Sequence, residues 1–82
     1  MFYVYILYSK DHDRFYIGQT SDLEKRITRH QKGYVRSTKN YLPIELVYKE
    51  TFNSRSEAVN RENLLKSWKS KERIRRLVDT SR

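Results

Sequence analysis

Two segments decide the fold of this chain: Tyr3-Val4-Tyr5-Ile6-Leu7 and Phe15-Tyr16-Ile17-Gly18-Gln19-Thr20. Both are rich in aromatic and β-branched residues and contain no proline, which is typical of β-strands. Residues 9–13, between them, are polar and rich in aspartate, as expected of a hairpin loop. The sequence therefore predicts an antiparallel hairpin close to the N-terminus.

Side-chain alternation gives this hairpin two different faces. If Tyr8 pairs with Phe15, then Tyr5 and Tyr16 lie on the same face. In that register Gly18 lies opposite Tyr5 and leaves its ring uncrowded. A glycine inside a strand usually marks a close approach to the backbone. Leu7 and Gly18 share the tyrosine face, and the opposite face carries Val4, Ile6, Phe15 and Ile17.

Composition restricts the class of protein. The 82 residues are enough for one domain, and 37% of them are hydrophobic. No apolar run has the length of a transmembrane helix, and the N-terminus does not resemble a signal peptide. Cysteine is absent, which excludes disulfides and cysteine-based zinc sites. We expect a single cytoplasmic domain over residues 1–82 that does not associate with a membrane.

The charge balance points to a polyanionic partner. Eighteen Lys and Arg residues outnumber ten Asp and Glu residues, which gives a net charge of +8. Nucleic acid is the first candidate for such a short basic chain. Ribosome-associated and membrane-surface proteins share this balance, so charge alone does not decide between them.

Three helices and a third strand are predicted after the hairpin. Serine followed three residues later by glutamate forms a capping box at Ser21 and again at Ser54, so a helix starts at each. Gly33 ends the first of these helices. A last helix opens at Ser70 and runs to about Val78. The third strand covers residues 44–52, after Pro43.

The first helix carries an arginine and a histidine beside its buried stripe. Leu23 and Ile27, four residues apart, mark the stripe. Arg26 and His30 lie one turn apart on its shoulder and project together. They are either a functional pair or two solvated residues of a basic helix, and the pattern alone leaves both interpretations open.

The second helix contains a glutamate in an apolar environment. Glu62 falls within an arc formed by Ala58, Val59 and Leu65, which Leu64 and Trp68 extend. A carboxylate there costs several kcal/mol unless it is paired or binds a cation. Glu62 is therefore either the partner of a buried cation such as Arg26 or a metal ligand in a cleft between helix and sheet.

Basic residues are concentrated in two further segments. The loop over residues 34–42 carries Arg36 and Lys39, and the densely basic segment 66–76 includes Lys66, Lys69 and Lys71. Both segments suit contact with a phosphate backbone. The alternatives are a mobile surface loop and an ordinary solvated helical face.

The candidate catalytic residues of this chain suit phosphodiester chemistry. It has no cysteine nucleophile and no glycine-rich phosphate loop, and its two histidines are not spaced as a metal-binding pair. Two tyrosines, an Arg–His pair and one carboxylate remain. A carboxylate can hold a metal that neutralises charge on a phosphate, and an arginine can hold the non-bridging oxygens.

These residues occur in an order that resembles the GIY-YIG nucleases, from Tyr3 to about Leu77. The resemblance is carried by Tyr3-Val4-Tyr5, Tyr16-Ile17-Gly18-Gln19-Thr20, Asp22-Leu23, Arg26, His30, Glu57-Ala58, Arg61-Glu62, Lys66 and Trp68. It implies an α/β (α+β) domain with a three-stranded antiparallel sheet flanked by about three helices.

The resemblance also implies a set of site residues. In that family two tyrosines, a helix arginine and a late glutamate form the active site, which here are Tyr5, Tyr16, Arg26 and Glu62. The glutamate binds one divalent cation, Mg²⁺ or Mn²⁺. His30 matches a histidine that contributes to catalysis in some members. The basic residues Lys66, Arg36, Lys39, Lys69 and Lys71 are then expected to contact nucleic acid.

Two positions depart from the family pattern. Tyr3 stands where the first motif has glycine, and Ile74 lies where many members have asparagine. Relatives usually carry a separate DNA-targeting domain, so a protein partner could direct this chain. The expected function is metal-dependent cleavage of DNA. The alternatives are a nucleic-acid-binding module without turnover and a protein-interaction scaffold.

Overall fold

The computed structural model describes residues 1–81 and gives an α+β domain. The strands are β1 (Phe2–Ser9), β2 (Arg14–Thr20) and β3 (Glu45–Phe52). The helices are α1 (Leu23–Gln31), α2 (Arg55–Ser67) and α3 (Lys71–Thr80), and a short 3-10 helix covers Lys39–Tyr41. None of the helices in this part of the chain is long and apolar enough to cross a membrane.

The sheet has the order β2-β1-β3 and is antiparallel throughout. Tyr8 pairs with Phe15, and Tyr5 pairs with Gly18, so the predicted hairpin register is confirmed. The pairing of β1 with β3 shifts between Ile6 and Leu7, where one extra residue of β3 forms an irregularity. The central strand β1 therefore presents side chains to both faces of the sheet.

Each face of the sheet has its own apolar cluster. On one face, α2 and α3 pack against Val4, Ile6 and Ile17. On the other, Tyr5 and Leu7 pack with Ile44 and the stripe of α1. The tyrosine face of the hairpin is thus covered by α1 and the following loop, and it holds the candidate site.

Helix ends follow the sequence signals with one exception. Ser54 and Ser70 each accept a backbone N–H, from Glu57 and Arg73 respectively, as the cap predictions require. The first helix is capped by Asp22, not by Ser21 as predicted. Aspartate caps as well as serine, and Ser21 lies one residue too early to reach the first turn.

The end of α1 is fixed by a Schellman motif. Gly33 has φ of +79° and donates its N–H to the carbonyl of His30. The N–H of Tyr34 reaches back to the carbonyl of Arg29. The predicted stop at Gly33 is confirmed, and the motif sets the direction in which the loop leaves the helix.

Three smaller expectations change in the structure. Leu64, predicted to extend the apolar arc of α2, is 48% exposed because the helix turns that side chain away from the sheet. The loop 34–42 contains the 3-10 helix, and β3 begins at Glu45, one residue later than predicted. The last helix continues to Thr80, beyond the predicted end at Val78.

Two ion-pair networks fasten the helices to the sheet. Arg61 of α2 donates two hydrogen bonds to Glu50 of β3, at 2.9 and 3.0 Å, and Tyr48 donates a third. Asp13, in the hairpin loop, accepts from Tyr8 and from two cations of α3, Lys71 and Arg75.

These networks shift the carboxyl pKa values. Burial opposes ionisation of Glu50, but the hydrogen bonds from Arg61 and Tyr48 outweigh it and lower the Glu50 pKa. Hydrogen bonds from Arg75, Tyr8 and Lys71 hold the pKa of Asp13 well below its usual range. Both carboxylates are therefore charged in the folded protein at neutral pH, and both fix helices that lie behind the sheet.

Candidate active site

The centre of the candidate site is the phenol of Tyr5, which lies above Gly18. Tyr5 is 1% exposed, and the two residues pair across the β1–β2 ladder. A Cβ on residue 18 would overlap the hydroxyl end of the ring. Only glycine leaves room for the phenol in this position, so β2 supplies the floor of the site.

His30 lies directly beside Tyr5. Its Nε2 is 3.1 Å from the Tyr5 hydroxyl, and its Nδ1 is 2.8 Å from Oγ1 of Thr38. Oγ1 of Thr38 also lies 3.5 Å from the carbonyl of Val35. All three contacts are satisfied together if Thr38 donates to Val35 and accepts from Nδ1–H of His30, and we therefore assign the tautomer in which Nε2 accepts the Tyr5 proton.

Burial shifts the pKa values of both Tyr5 and His30. It raises the pKa of Tyr5 to about 12, although Arg26 acts in the opposite direction. Burial, together with the charges of Arg26 and Arg29, lowers the pKa of His30. At neutral pH the pair is thus a protonated phenol that donates to a neutral imidazole.

Tyr16 and Arg26 form the more exposed side of the site. The ring centroid of Tyr16 lies 5.2 Å from that of His30, and Tyr16 raises the Tyr5 pKa through its charge. Arg26 is exposed on α1 and acts electrostatically on both Tyr5 and His30. The predicted Arg–His pair therefore separates into an exposed guanidinium and an imidazole that is 0% exposed.

Glu62 approaches the same group from α2. Its negative charge raises the Tyr5 pKa, so the carboxylate lies within electrostatic reach of the phenol. The Glu62 side chain is only 16% exposed, and Lys66, one helical turn later, contacts its Oε2 at 3.0 Å. Its ion-pair partner is therefore Lys66 and not Arg26, the example suggested by the sequence.

The chain offers one carboxylate for a metal at this position. The described residues contain no group of three or more His, Asp or Glu side chains that could enclose a cation. Mg²⁺ commonly takes only one or two carboxylates from a protein and completes its shell with water and substrate phosphate. A single shielded carboxylate within electrostatic reach of the Tyr5 phenol fits that mode of binding.

The predicted nucleic-acid contacts have different surroundings. Arg36 and Lys39 are exposed on the loop that carries Thr38. Lys69 is exposed at the α2–α3 junction, where its φ of +49° marks a sharp turn. Lys71 is bonded to Asp13 at 3.3 Å. Arg36 and Lys39 lie within two residues of Thr38 in the chain, whereas Lys71 already has a carboxylate partner.

Sequence reasoning missed one residue of the site. Thr38 is 2% exposed and holds the imidazole of His30, but it lies in a polar loop with no periodic pattern. A single threonine among serine, lysine and asparagine gives no signal that its side chain turns inward. Only the path of the loop after Gly33 brings it to His30.

Comparison with known proteins places this geometry in a family. The model of the GIY-YIG catalytic domain matches residues 1–75. A UPF0213 protein of Staphylococcus saprophyticus is 38% identical over 74 residues, which are 89% of both chains. A UPF0213 protein of Clostridium perfringens is 45% identical over 67 residues, or 80% of this chain and 71% of that one.

A solved structure confirms the fold. The solution NMR structure of a UPF0213 protein from Bacillus halodurans superposes with a TM-score of 0.60 at 35% sequence identity. The match covers 98% of this chain and 85% of the other. The three-stranded antiparallel sheet with three helices, expected from the sequence, is the architecture shared with that structure.

Proposed function

The chain belongs to the GIY-YIG family of nuclease-type domains, and from this premise we propose that it is a metal-dependent endonuclease that hydrolyses phosphodiester bonds in DNA. The observation that carries the proposal is a convergence on one phenol. Arg26 of α1, Tyr16 of β2 and Glu62 of α2 all act electrostatically on Tyr5 of β1. A guanidinium, a second phenol and a carboxylate from three other elements thus lie within electrostatic reach of the Tyr5 phenol.

Glu62 is the residue proposed to hold the cation. A bound Mg²⁺ or Mn²⁺ would neutralise charge on the phosphate and stabilise the leaving 3′ oxygen. Lys66 fixes one oxygen of Glu62 by its 3.0 Å contact, and the low exposure of this carboxylate keeps it from reorienting into bulk water. Lys66 therefore positions the ligand.

Tyr5 and His30 form the proposed path for the proton of the attacking water. The Tyr5 hydroxyl donates to Nε2 of His30, so it can accept a proton from water while its own proton moves to the imidazole. Because the pKa of Tyr5 is about 12, almost none of its phenolate is present at neutral pH. Tyr5 can therefore accept a proton from water only if its own proton leaves in the same step. His30, neutral because its pKa is lowered, provides that acceptor.

Arg26 is proposed to hold the scissile phosphate. It is the exposed cation nearest to the pocket on α1, and it is not among the ion pairs formed by the described residues. A guanidinium presents several donors in one plane and can bind two phosphate oxygens together. Tyr16, whose ring centroid lies 5.2 Å from that of His30, is proposed to orient the phosphate or the water.

The net charge of +8 supports a nucleic-acid substrate, and DNA is the proposed one. Arg36, Lys39, Lys66, Lys69 and Lys71 are proposed to contact its backbone, with Lys71 sharing its charge with Asp13. A protein partner that directs the domain, and a cytoplasmic location, stay predictions. The second candidate is a binding module of the same fold without turnover, and it is favoured by the single carboxylate available for a metal.

One experiment separates these functions. Purified protein is incubated with branched, nicked and linear DNA in Mg²⁺, in Mn²⁺ and in EDTA, and products are resolved on a denaturing gel. We expect metal-dependent cleavage that Glu62→Gln abolishes and that Glu72→Gln, a matched change on α3, leaves intact. Salt-sensitive binding without products would identify the binding module, and cleavage that survives Glu62→Gln would show that Glu62 is misassigned.

A further inference from the structure

A small cavity adjoins the candidate site at the hairpin end of the sheet. It lies between the start of β2 and the loop that contains Thr38. Tyr16 and Thr38 line both this cavity and the surroundings of His30, so the two spaces are neighbours. The other polar groups of its wall are Ser9, Arg14, Ser37 and Tyr41.

The polar groups that line the cavity are hydroxyls and a cation, without an acid. It presents hydroxyl groups and one guanidinium over a floor made of Leu7 and Ile44, and it includes no carboxylate. Low-polarity walls strengthen the field of a nearby charge. Donors and positive charge above an apolar floor favour an anion and disfavour a metal ion.

Arg14 is oriented by an aromatic side chain and not by an acid. Its Nη1 donates to the Tyr41 hydroxyl at 3.0 Å, and its guanidinium carbon lies 4.5 Å from the centre of the Tyr41 ring. The ion pairs within residues 1–81 involve Arg61, Lys66, Lys71 and Arg75, but not Arg14. Stacking on Tyr41 holds the guanidinium in place while most of its five donors stay available.

The size of the cavity limits what can enter it. Its volume of about 40 Å³ corresponds to roughly three water molecules. A nucleobase is too large, whereas a phosphate group, with its tetrahedron of oxygens, is of the right order. Tyr16 connects this cavity to the candidate site, because it lines the cavity and its ring centroid lies 5.2 Å from that of His30, the hydrogen-bond partner of Tyr5.

We propose that this cavity binds the phosphate that neighbours the scissile one on the same DNA strand, with Arg14 as its charged donor and Ser37 as a hydroxyl donor. This inference rests on the proposed function, because it takes the scissile phosphate to lie at Tyr5. It assigns to Arg14 the role of fixing the register of the strand over the active site.

The test uses ligands that differ by one phosphate. Thymidylyl-thymidine (TpT) has a single phosphate, and its 5′-phosphorylated form (pTpT) and 3′-phosphorylated form (TpTp) each add a neighbour on one side. Binding to the full chain in EDTA is followed by amide NMR shifts. We expect one of the two phosphorylated forms to bind about tenfold more tightly than TpT, as one charge-assisted hydrogen bond provides, and to shift Ser37 and Tyr41.

Variants assign that gain to the cavity. Arg14→Gln should remove the tenfold gain, and Arg55→Gln should retain it, because Arg55 is an exposed arginine that stacks on Phe2 and does not line the cavity. If Arg14→Gln loses its native spectrum, Ser37→Asp, which introduces a negative charge into the cavity, should also remove the gain. Equal affinity for all three ligands, or a gain that survives Arg14→Gln or Ser37→Asp in a folded protein, would overturn the proposal.

The result of this binding experiment can be distinguished from the result of the cleavage assay. An Arg14-dependent gain without metal-dependent products would retain the cavity and refute hydrolysis. Cleavage without any gain from a neighbouring phosphate would retain the nuclease and refute the cavity. Failure of every ligand to bind would overturn the assignment of the cavity.

Discussion

Gly18 lies opposite Tyr5 across the β1–β2 ladder, so close that even a methyl group on residue 18 would overlap the phenol. The glycine is therefore required by the position of a neighbouring ring and not by its own backbone. In this position the Tyr5 hydroxyl lies 3.1 Å from Nε2 of His30. Displacement of the ring by a small residue should therefore separate the two groups of the proposed proton path.

We expect Gly18→Ala to reduce cleavage by about 10²-fold or more, because misplacement of a catalytic group by about an ångström has that effect. Overpacking should also lower the free energy of unfolding by about 1–3 kcal/mol. Val78→Ala is the control, since it destabilises the apolar cluster on the opposite face of the sheet and does not touch the site. Unchanged activity in a folded Gly18→Ala protein would remove Tyr5 from the mechanism.

Activity should fall in acid because His30 must be neutral to accept the Tyr5 proton. Its pKa lies below the ordinary value of about 6.5, so the acid limb of kcat/KM should have its midpoint below that pH. Arg29→Gln removes one of the charges that lower this pKa, and the limb should move to higher pH. A limb that does not move, measured beside the NMR titration of the imidazole, would contradict the assignment.

Arg26 and Arg29 provide a matched pair for the phosphate contact. Both lower the His30 pKa, but only Arg26 also acts on Tyr5. We expect Arg26→Gln to lower kcat/KM by about 10²-fold, the effect of removing one donor to developing charge, and Arg29→Gln to change it little near neutral pH. Similar losses in the two variants would indicate general attraction to DNA instead of a specific contact.

Stability should also depend on pH through His30. Its pKa is lowered by folding, so the unfolded chain takes up the proton first as the pH falls below about 6.5. The free energy of unfolding should therefore decrease from that pH down to the folded-state pKa. The free energy of unfolding should decrease a second time below about pH 4.5, where Glu50 takes up a proton in the unfolded chain. Urea titrations across this range would reveal both, and a flat profile would contradict the first.

The network of Glu50 should stabilise the fold without contributing to the chemistry. Its side chain is 21% exposed and that of Arg61 is 27% exposed, so solvent weakens their attraction only in part. Glu50→Gln should lower the free energy of unfolding by about 1–2 kcal/mol. Its kcat at a temperature where it is fully folded should equal that of the parent. A large loss of kcat would instead mean that α2 shifts and carries Glu62 with it.

Much of the fold could be predicted from local patterns. The hairpin register followed from period-two alternation, and the starts of α2 and α3 followed from serine caps, because these signals act over a few residues. The sequence predicts Ser21 as the N-cap of α1, one residue before the observed cap at Asp22, because serine and aspartate are both good N-caps. Local chemistry does not decide between them; the direction of the chain after β2 does.

The site was predictable only in part, for a related reason. Tyr5, Tyr16 and Glu62 stand out because aromatic residues on one strand face and a carboxylate in an apolar arc are unusual. The complete burial of His30 and its contact with Thr38 depend on where a nine-residue polar loop folds back. Such loop paths are set by tertiary packing, so the sequence placed His30 at a helix shoulder but not beneath the surface.

The position of β1 in the middle of the sheet has a consequence for misfolded chains. Tyr5 faces α1 while its neighbours Val4 and Ile6 face α2 and α3. A one-residue shift in the register of β1 would turn the Tyr5 side chain toward the apolar cluster under α2 and α3. An aliphatic side chain would then take its place on the face covered by α1. The same slip would thus lower the stability of the protein and take apart the candidate site.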